Sequence, residues 1–242
     1  MLLSSLQADA PVHQVLVGAF WTAVVLSTDP PRCGLSSTLR PATHPGGPSV
    51  LHAGVLLERS GRELAELLRS NSTLEASIGI AAFNALLEVD EGICKEVNAR
   101  EAILERGAGR RVVIVGHFPF VERVRQAAAE CWVLELNPRP GDLAAPWANQ
   151  VLPQADVVAM TGTSLVNHTF DELIGLCRPD AFVILLGGSA PLTPVLFECR
   201  VDAVSGTRVV DVPAALQAVS QGATFPQIPG KRLLTMMRAE GP

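Results

Sequence analysis

The stretch RVVIVGHFPFVERVRQAAAECWVLEL, residues 111–136, decides the fold class of this chain. It opens with a continuous β-branched run at 111–116, which is typical of a parallel strand buried on both faces. A turn and a helical segment follow, and residues 131–136 form a second apolar run of strand length. A strand, a helix and a strand in this order predict a βαβ unit with a right-handed crossover.

The same rhythm continues after this unit. Apolar runs at residues 155–162, 182–188 and 207–212 predict further strands, and residues 170–177 and 213–221 have helical spacing. This alternation predicts an α/β, Rossmann-like domain with a mostly parallel sheet. The apolar tail around Leu233, Leu234, Met236 and Met237 fits a final helix packed on the core better than an exposed interface element.

The first hundred residues have a less regular pattern. Residues 15–18 and 21–26 predict two strands, and 60–68 and 74–89 predict helices, while the proline- and glycine-rich segment 41–48 predicts a loop. The charged, glycine-containing segment 105–111 is typical of a domain junction. We therefore expect a smaller α+β domain over residues 1–105 and the Rossmann-like domain over residues 106–242.

Composition narrows the function classes. Of the 242 residues, 48% are hydrophobic and 18% charged, which favours a packed core over disorder. A net charge of -5 without a basic run argues against nucleic-acid binding. The longest apolar stretch, residues 15–26, is too short to cross a membrane, and no secretory signal is evident. Five scattered cysteines favour reduced thiols, so we expect a cytoplasmic protein of bacterial type.

Four loops are expected at the carboxyl edge of the sheet, where open α/β sheets bind ligands. The first holds Gly116, His117, Phe118 and Pro119. Gly116 permits close backbone approach, and Pro119 suits the first turn of a helix whose free N–H groups would bind an anion. His117 is a candidate ligand, and its alternative is a capping or solvent-facing role. Because no GxGxxG motif is present, ordinary NAD binding is disfavoured.

The second loop begins at Glu135, with Asp142 beyond it. Glu135 lies about 20 residues after Gly116, where nucleotide-binding Rossmann domains place an acid for ribose hydroxyls. Its alternative is an ordinary exposed acid at a strand end.

The third loop contains Thr161-Gly162-Thr163 and Asn167-His168-Thr169. Thr169 and Glu172 predict a capping box, which is a sufficient structural reason for Thr169. The Asn167 amide can donate and accept at once, which suits ligand recognition, and an Asx-turn is its alternative.

The fourth loop, Gly187-Gly188-Ser189-Ala190-Pro191, predicts either an anion-binding nest or a tight turn. Upstream, Asn84 interrupts an apolar helix. A buried asparagine needs hydrogen-bond partners, so Asn84 points into a cleft between the domains or ties the helix to a loop.

Four segments in order, AAFNALL (81–87), VGHFPF (115–120), MTGTSLVNHTFDELI (160–174) and LLGGSAPLTPVLF (185–197), resemble the DUF364 family. The resemblance runs from about residue 84 to 211, and the preceding region is similar to the companion DUF4213 domain. It implies an enolase-N-terminal-like α+β domain packed on a Rossmann-like domain, with a site between them. It also implies a role in heavy-metal chelation, through a metal chelate or chelator that the protein binds or processes.

The resemblance implies a set of ligand-binding residues, and the side chains expected near the site give a smaller set of candidate metal ligands. The ligand-binding set is Asn84, His117, Phe118, Pro119, Glu135, Thr161, Gly162, Thr163, Asn167, Thr169, Gly187, Ser189 and Pro191, and the metal ligands would be His117, Glu135 and His168. The family often has glycine where this chain has His168, and proline where it has Gly188. These departures predict a ligand that differs from that of typical family members.

Three functions therefore stay open. The first is binding of a small-molecule chelator or its chelated transition metal, with or without a reaction. The second is an enzyme using a nucleotide-like cofactor such as S-adenosylmethionine, and the third is a non-enzymatic partner protein in metal homeostasis. If the chain self-associates, a symmetric homodimer is the commonest assembly.

Overall fold

The computed structural model describes residues 1–40 and 47–239. Residues 41–46 of the predicted proline-rich loop, including His44, lie outside this part of the chain. A small antiparallel sheet has the strand order β1-β2-β3, and an eight-stranded sheet has the order β4-β11-β10-β9-β8-β5-β6-β7. In the large sheet β10 to β7 run parallel, whereas β11 and β4 are antiparallel to their neighbours. This confirms the predicted α/β class with a smaller α+β part before it.

The strands and helices of the described residues have the following bounds. The strands are β1 Val12–Val17, β2 Trp21–Leu26, β3 Arg32–Ser37, β4 Cys94–Lys95, β5 Arg111–Val115, β6 Glu130–Glu135, β7 Leu143–Ala144, β8 Val157–Thr161, β9 Phe182–Leu186, β10 Ala203–Val209 and β11 Lys231–Met237. The helices are α1 Gly61–Ala65, α2 Thr73–Leu86, α3 Ala99–Gly107, α4 Val121–Ala127, α5 Ala148–Val151, α6 Thr163–Val166, α7 Phe170–Leu176 and α8 Val212–Ser220.

The order of the parallel strands creates a point where the chain reverses direction across the sheet. From β5 the chain moves outward to β6 and β7, then returns to β8 on the other side of β5 and continues to β9 and β10. The connections on the two sides of the β5–β8 pair therefore lead away from each other. In open α/β sheets a ligand crevice forms at the carboxyl ends of such a pair.

The apolar tail is a strand, so the predicted final helix is wrong. β11 pairs antiparallel along its whole length with β10, with Leu233 opposite Thr207 and Met236 opposite Val204. It also pairs with β4 on its other side. The spacing of the apolar residues in the tail fits either a helix or a strand, and pairing with β10 makes the tail a strand. The small-sheet strand β3 was likewise not predicted, whereas α7 and α8 lie where helices were expected.

The two sheets share their hydrophobic cores. Ile80 of α2 belongs to the same buried cluster as Met160 of β8, and Leu35 of β3 packs in a cluster with Val219 of α8. Gly34 lets α2 lie directly on β3, because a Cβ atom there would sit 2.1 Å from the Ala81 carbonyl oxygen. The domain boundary at residue 105 stays a prediction, and β4, which precedes it, already pairs within the large sheet.

Within residues 1–40 and 47–239, no helix is both long enough and apolar enough to cross a bilayer.

Candidate functional site

A cavity of about 290 Å³ opens at the carboxyl ends of β5 and β8, at the point where the strand order reverses. Apolar side chains form most of its wall, and several polar groups converge on it. Its lining consists of Val115, Gly116, His117, Phe118, Leu134, Glu135, Leu136, Ala145, Ala148, Thr161, Thr163, Ser164, Asn167, Thr169, Glu172 and Leu173. All of these residues belong to the segment 115–173. This cavity therefore lies within the expected Rossmann-like domain, and not in a cleft between the two expected domains.

His117 enters the cavity from the loop after β5, held by a carboxylate. Its Nδ1 lies 3.0 Å from Oδ2 of Asp142. The Asp142 side chain has no exposed surface, and it also receives the Arg139 backbone N–H and the Arg125 guanidinium. Within the described residues, no partner contacts His117 Nε2. Asp142 was absent from the predicted binding residues, although it follows a strand on the same sheet edge as His117.

The surroundings of Asp142 keep it charged. Burial raises the pKa of its carboxyl. The Arg139 N–H, His117 and Arg125 together lower it by more than burial raises it, so the net pKa is below the ordinary value. An ionised Asp142 can only accept a hydrogen bond from His117 Nδ1–H. The imidazole is thereby held in the tautomer whose Nε2 carries the free lone pair, which is the form that binds metals or accepts protons.

Two threonines, one at the end of β8 and one at the start of α6, form the polar floor. Thr161 Oγ1 and Thr163 Oγ1 lie 2.9 Å apart, and Thr163 N–H donates to Thr161 Oγ1. Gly162 does not line the cavity. Its place is structural, since a Cβ atom there would lie 2.4 Å from the Ala190 backbone nitrogen.

Asn167 and Thr169 lie together on the cavity wall. Asn167 Oδ1 accepts from the Thr169 backbone N–H at 3.3 Å and from Thr169 Oγ1 at 2.8 Å, which is an Asx-turn. Thr169 has no capping bond to α7, so the predicted capping box with Glu172 is wrong. The hydroxyl is already used by Asn167. In the described chain, the Asn167 Nδ2 group keeps both N–H donors unpaired beside the cavity.

Glu135 and Phe118 also line the cavity, but Pro119 does not. Glu135 Oε1 accepts its neighbour's backbone N–H from Leu136, which leaves Oε2 for a ligand. α4 begins at Val121, and Val121 N–H donates to the Phe118 carbonyl. The predicted helix start at Pro119, with N–H groups ready for an anion, is therefore not formed.

His168 lies apart from the other predicted metal ligands. It lines a separate cleft with Asn71 and Cys199, and its Nε2 contacts the Ser70 carbonyl at 2.9 Å. Its φ angle is +61°, a left-handed conformation that explains the glycine implied at this position by the family resemblance. Among residues 1–40 and 47–239, no group of three His, Cys, Asp or Glu side chains is arranged to hold a metal ion. The set His117, Glu135 and His168 is thus not assembled.

The fourth loop joins the two sheets. Ser189 is buried, and its Oγ accepts the Ser37 backbone N–H of β3 at 2.8 Å. Gly187 N–H donates to the Ser205 carbonyl. Pro191 is also buried, and neither Gly187, Ser189 nor Pro191 lines the cavity. Backbone pairing uses the Gly187 and Ala190 amides, so neither of these two N–H groups is free for an anion.

Gly188 stands where the family resemblance implies a proline, and two aromatic rings lie close to it. A Cβ atom there would lie 2.6 Å from the Trp21 ring and 2.7 Å from the Phe225 ring. These two rings pack against each other at a centroid distance of 4.9 Å. The loop is therefore covered by aromatic side chains in this chain.

Asn84 does not line the His117 cavity, and its side chain ties α2 to the small sheet. Its Nδ2 donates to the Leu35 carbonyl of β3 at 2.9 Å. Asn84 instead lines a cleft between α2, β3 and β10. Of the residues implied by the family resemblance, the cavity thus gathers His117, Phe118, Glu135, Thr161, Thr163, Asn167 and Thr169.

Comparison with known proteins identifies two family matches, both described as "Putative heavy-metal chelation". The DUF364 model matches residues 98–238, and the DUF4213 model matches residues 1–87. An uncharacterised protein of Methanocaldococcus jannaschii is 26% identical over 169 residues, which cover 66% of this chain and 64% of that protein. The matched part thus spans less than two thirds of that relative's length.

Two crystal structures share the fold. A DUF364 protein of unknown function from Desulfitobacterium hafniense has a TM-score of 0.82 at 25% identity, covering 98% of this chain and 95% of its own. Another from Pyrococcus horikoshii has a TM-score of 0.84 at 19% identity, covering 98% and 96%. The likeness extends over both sheets.

Proposed function

The chain belongs to the DUF364 family, and from that premise we propose that the cavity at β5 and β8 binds a small chelator carrying a heavy or transition metal. The protein would contribute one coordinating nitrogen, His117 Nε2. The chelator would fill the other coordination positions, and the cavity wall would recognise the chelator itself.

The contact between His117 and Asp142 carries this proposal. A carboxylate that holds the second ring nitrogen is the usual arrangement around a metal-binding histidine, because it fixes both the ring and its tautomer. Here the 3.0 Å contact to a fully covered carboxylate supplies that support. A single imidazole suits a metal whose other ligands arrive with it.

The remaining polar groups fit a ligand rich in oxygen and nitrogen. The Asn167 Nδ2 donors can reach carboxylate or carbonyl oxygens, and the hydroxyls of Thr161 and Thr163 can donate or accept. The volume of about 290 Å³ is near the lower end of small-molecule sites, which suits a compact chelate.

We expect the copper(II) complex of iminodiacetate, a chelate that leaves coordination positions open, to bind the full chain through His117. Calorimetric titration should show that His117→Ala lowers the affinity by at least about tenfold, because a direct metal ligand is lost. His13, exposed on β1, provides the matched control, and His13→Ala should keep the affinity. Circular dichroism checks that both variants fold.

Asp142→Asn separates positioning from contact. The variant keeps His117 but removes the charge that holds its tautomer, so affinity should fall about 10–100-fold. In copper EPR spectra the residual complex should keep the coupling to the imidazole nitrogen in Asp142→Asn and lose it in His117→Ala, while the coupling to the amine nitrogen of iminodiacetate stays in both variants. Equal affinity of the wild type and His117→Ala would refute the proposed site.

A nucleotide-like cofactor such as S-adenosylmethionine is the second candidate. Glu135 favours it, because this acid lines the cavity at the end of β6, next to β5. A thermal-shift measurement at saturating S-adenosylmethionine tests it, since binding to the native state must raise Tm. The third hypothesis, a partner protein, loses its main support because residues 231–237 are a paired strand within the sheet.

A further inference from the structure

The charged side chains that line the His117 cavity are all of one sign. Two carboxylates line it, Glu135 at the end of β6 and Glu172 in the first turn of α7. In the described part of the chain, no lysine or arginine is among the lining residues. His117 is the remaining ionisable group of the wall, and Asp142 holds it through Nδ1.

Neither carboxylate is neutralised by the protein. Among residues 1–40 and 47–239, no arginine, lysine or histidine forms an ion pair with Glu135 or Glu172. Glu135 Oε1 accepts the Leu136 backbone N–H at 2.8 Å, which orients the side chain and leaves its charge in place. Glu135 is half-buried, whereas Glu172 is exposed and therefore lies at the mouth of the cavity. Both carboxylates are accessible to a ligand.

The nearest cationic groups are already compensated or lie outside the cavity. Arg125 contacts Glu122 at 2.7 Å and Asp142 at 3.3 Å, so two carboxylates share its charge. Arg139 donates its backbone N–H to Asp142, but it is exposed and does not line the cavity. The start of α7 has a small partial positive charge, which Glu172 on its first turn offsets. The charge that faces a ligand is therefore negative.

This excess of negative charge distinguishes between chelates of the same metal. A chelator that coordinates through several carboxylates gives a neutral or anionic complex, whereas one that coordinates through amines leaves the positive charge of the metal in place. In a cleft with apolar walls, charges of one sign attract the opposite sign more strongly than they do in open water. The carboxylates therefore attract a cationic complex and repel an anionic one.

We propose that the cavity selects metal chelates of net positive charge, in which amine nitrogens are the main metal ligands. His117 Nε2 would take an open position on the metal. Metal-bound amine N–H groups would donate to Glu135 and Glu172, and such charge-assisted hydrogen bonds are strong. The Asn167 Nδ2 group would donate to a hydroxyl or carbonyl oxygen of the chelator. This inference rests on the proposed function and adds the charge class of the ligand.

Two copper(II) chelates with equal numbers of open coordination positions test the charge preference on the full chain. Diethylenetriamine and iminodiacetate are both tridentate, but the first complex is a dication and the second is neutral. Calorimetric titration gives each affinity, which is divided by the affinity of the same complex for free imidazole, so that intrinsic differences between the copper centres cancel. We expect this normalised affinity to be at least about tenfold higher for the diethylenetriamine complex. Raising the ionic strength from about 0.01 M to about 0.5 M should reduce the preference, because salt screens the carboxylates.

Glutamine variants assign the preference to the two carboxylates. Glu135→Gln and Glu172→Gln should each lower the normalised affinity for the dication about threefold or more and change that for the neutral complex less. The double variant should bind both complexes about equally. Glu105→Gln is the matched control, because this exposed residue of α3 carries the same charge outside the cavity lining. Circular dichroism checks that all variants fold.

The outcomes separate this inference from the proposed function. If both complexes bind through His117 with equal normalised affinities, the charge preference is wrong and the chelate site stands. If neither complex binds, or if His117→Ala binds both as tightly as the wild type does, the chelate site is wrong and the preference is lost with it. A preference that persists in the double variant would overturn the assignment to Glu135 and Glu172.

Discussion

Two threonines in the large sheet have opposite hydrogen-bonding states. Thr235 Oγ1 of β11 contacts Ser205 Oγ at 2.8 Å and donates to the Val97 carbonyl at 2.7 Å. Thr207 Oγ1 of β10 is buried without a partner. Valine has the same shape as threonine but no hydroxyl, so Thr→Val at the two positions isolates the contribution of that group.

We expect opposite effects on stability. Thr235→Val should lower the free energy of unfolding by about 1–2 kcal/mol, because it leaves the Val97 carbonyl and Ser205 with one partner fewer. Thr207→Val should raise it by up to about 1 kcal/mol, because a desolvated hydroxyl is removed. Urea denaturation of the two variants measures both. A loss at Thr207 equal to that at Thr235 would mean that the Thr207 hydroxyl is hydrogen-bonded in solution.

At the same scale, the sequence predicts the position of His117 but not its partner. His117 follows a recognisable β-branched strand, and topology alone places it at the carboxyl edge. Asp142 lies 3.0 Å away only because the loop after β6 turns back toward β5. That turn depends on Gly141, whose φ is +89°, and no local pattern reveals where such a loop ends.

At the scale of elements, two glycines have opposite surroundings. A Cβ atom on Gly34 of β3 would lie 2.1 Å from the Ala81 carbonyl oxygen and 2.4 Å from the Ala85 nitrogen of α2, whereas nothing lies within 4 Å of one on Gly175 in α7. Gly34→Ala should therefore destabilise the protein by about 1–3 kcal/mol or more, since backbone must move. Gly175→Ala should stabilise it by about 0.5–1 kcal/mol, because alanine favours the helix.

The two melting temperatures, measured by circular dichroism, should move in opposite directions from the wild type. A neutral Gly34→Ala would show that α2 does not rest directly on β3. A drop for Gly175→Ala of similar size to that for Gly34→Ala would show that added side-chain volume, and not position, causes the loss.

Asp156 joins three elements at the amino edge of the sheet. Its carboxylate, before β8, accepts the Arg111 backbone N–H of β5 at 2.9 Å and Arg178 Nη1, after α7, at 2.8 Å. The hydrogen bonds from Arg111 are the main cause that lowers its pKa from 3.8 to about 2. A lowered folded-state pKa adds stability above the unfolded value near 4, and this is lost as pH falls toward 2.

Asp156→Asn should therefore be destabilising at neutral pH and nearly silent in acid. We expect a loss of about 1–2 kcal/mol at pH 7, reduced by solvent screening of a side chain that is 25% exposed. The difference from wild type should close between pH 4 and pH 2 in a series of urea titrations. Asp180→Asn is the control, since its 69% exposed side chain should give a smaller effect. A difference that persists unchanged at pH 2 would contradict the linkage.

The longer strands of the parallel sheet were predictable from the sequence, whereas β3, β11 and the two-residue strands β4 and β7 were not. Buried parallel strands such as β5 and β9 are continuous β-branched or apolar runs that stand out locally. β11 is separated from its partner β10 by α8, so its pairing depends on contacts distant in the sequence. In β3, Gly34 and two serines have low strand preference, and packing against α2 holds them instead.

At the scale of the whole molecule, the two sheets depend on each other. The outer face of the small sheet is covered by Ala215 and Val219 of α8, which belongs to the C-terminal half. On the other side, α2 contributes Ile80 to the core beneath β8 and β9. The Ser189 hydroxyl binds the β3 backbone between them. Each half therefore leaves apolar surface open when the other is absent.

This dependence predicts one cooperative unfolding transition for the full chain, even though its two family matches meet near residues 87–98. Calorimetry should give a single peak whose measured enthalpy equals the van't Hoff enthalpy. Ser189→Ala, which removes the hydrogen bond to Ser37, should lower Tm while the peak stays single, because one lost bond costs only about 1–2 kcal/mol. Two resolved peaks, or a fragment of residues 106–242 that melts as sharply as the full chain, would show that the halves fold independently. In that case the shared clusters around Ile80 and Val219 would be contacts between finished domains, and the boundary near residue 105 would mark a true folding unit.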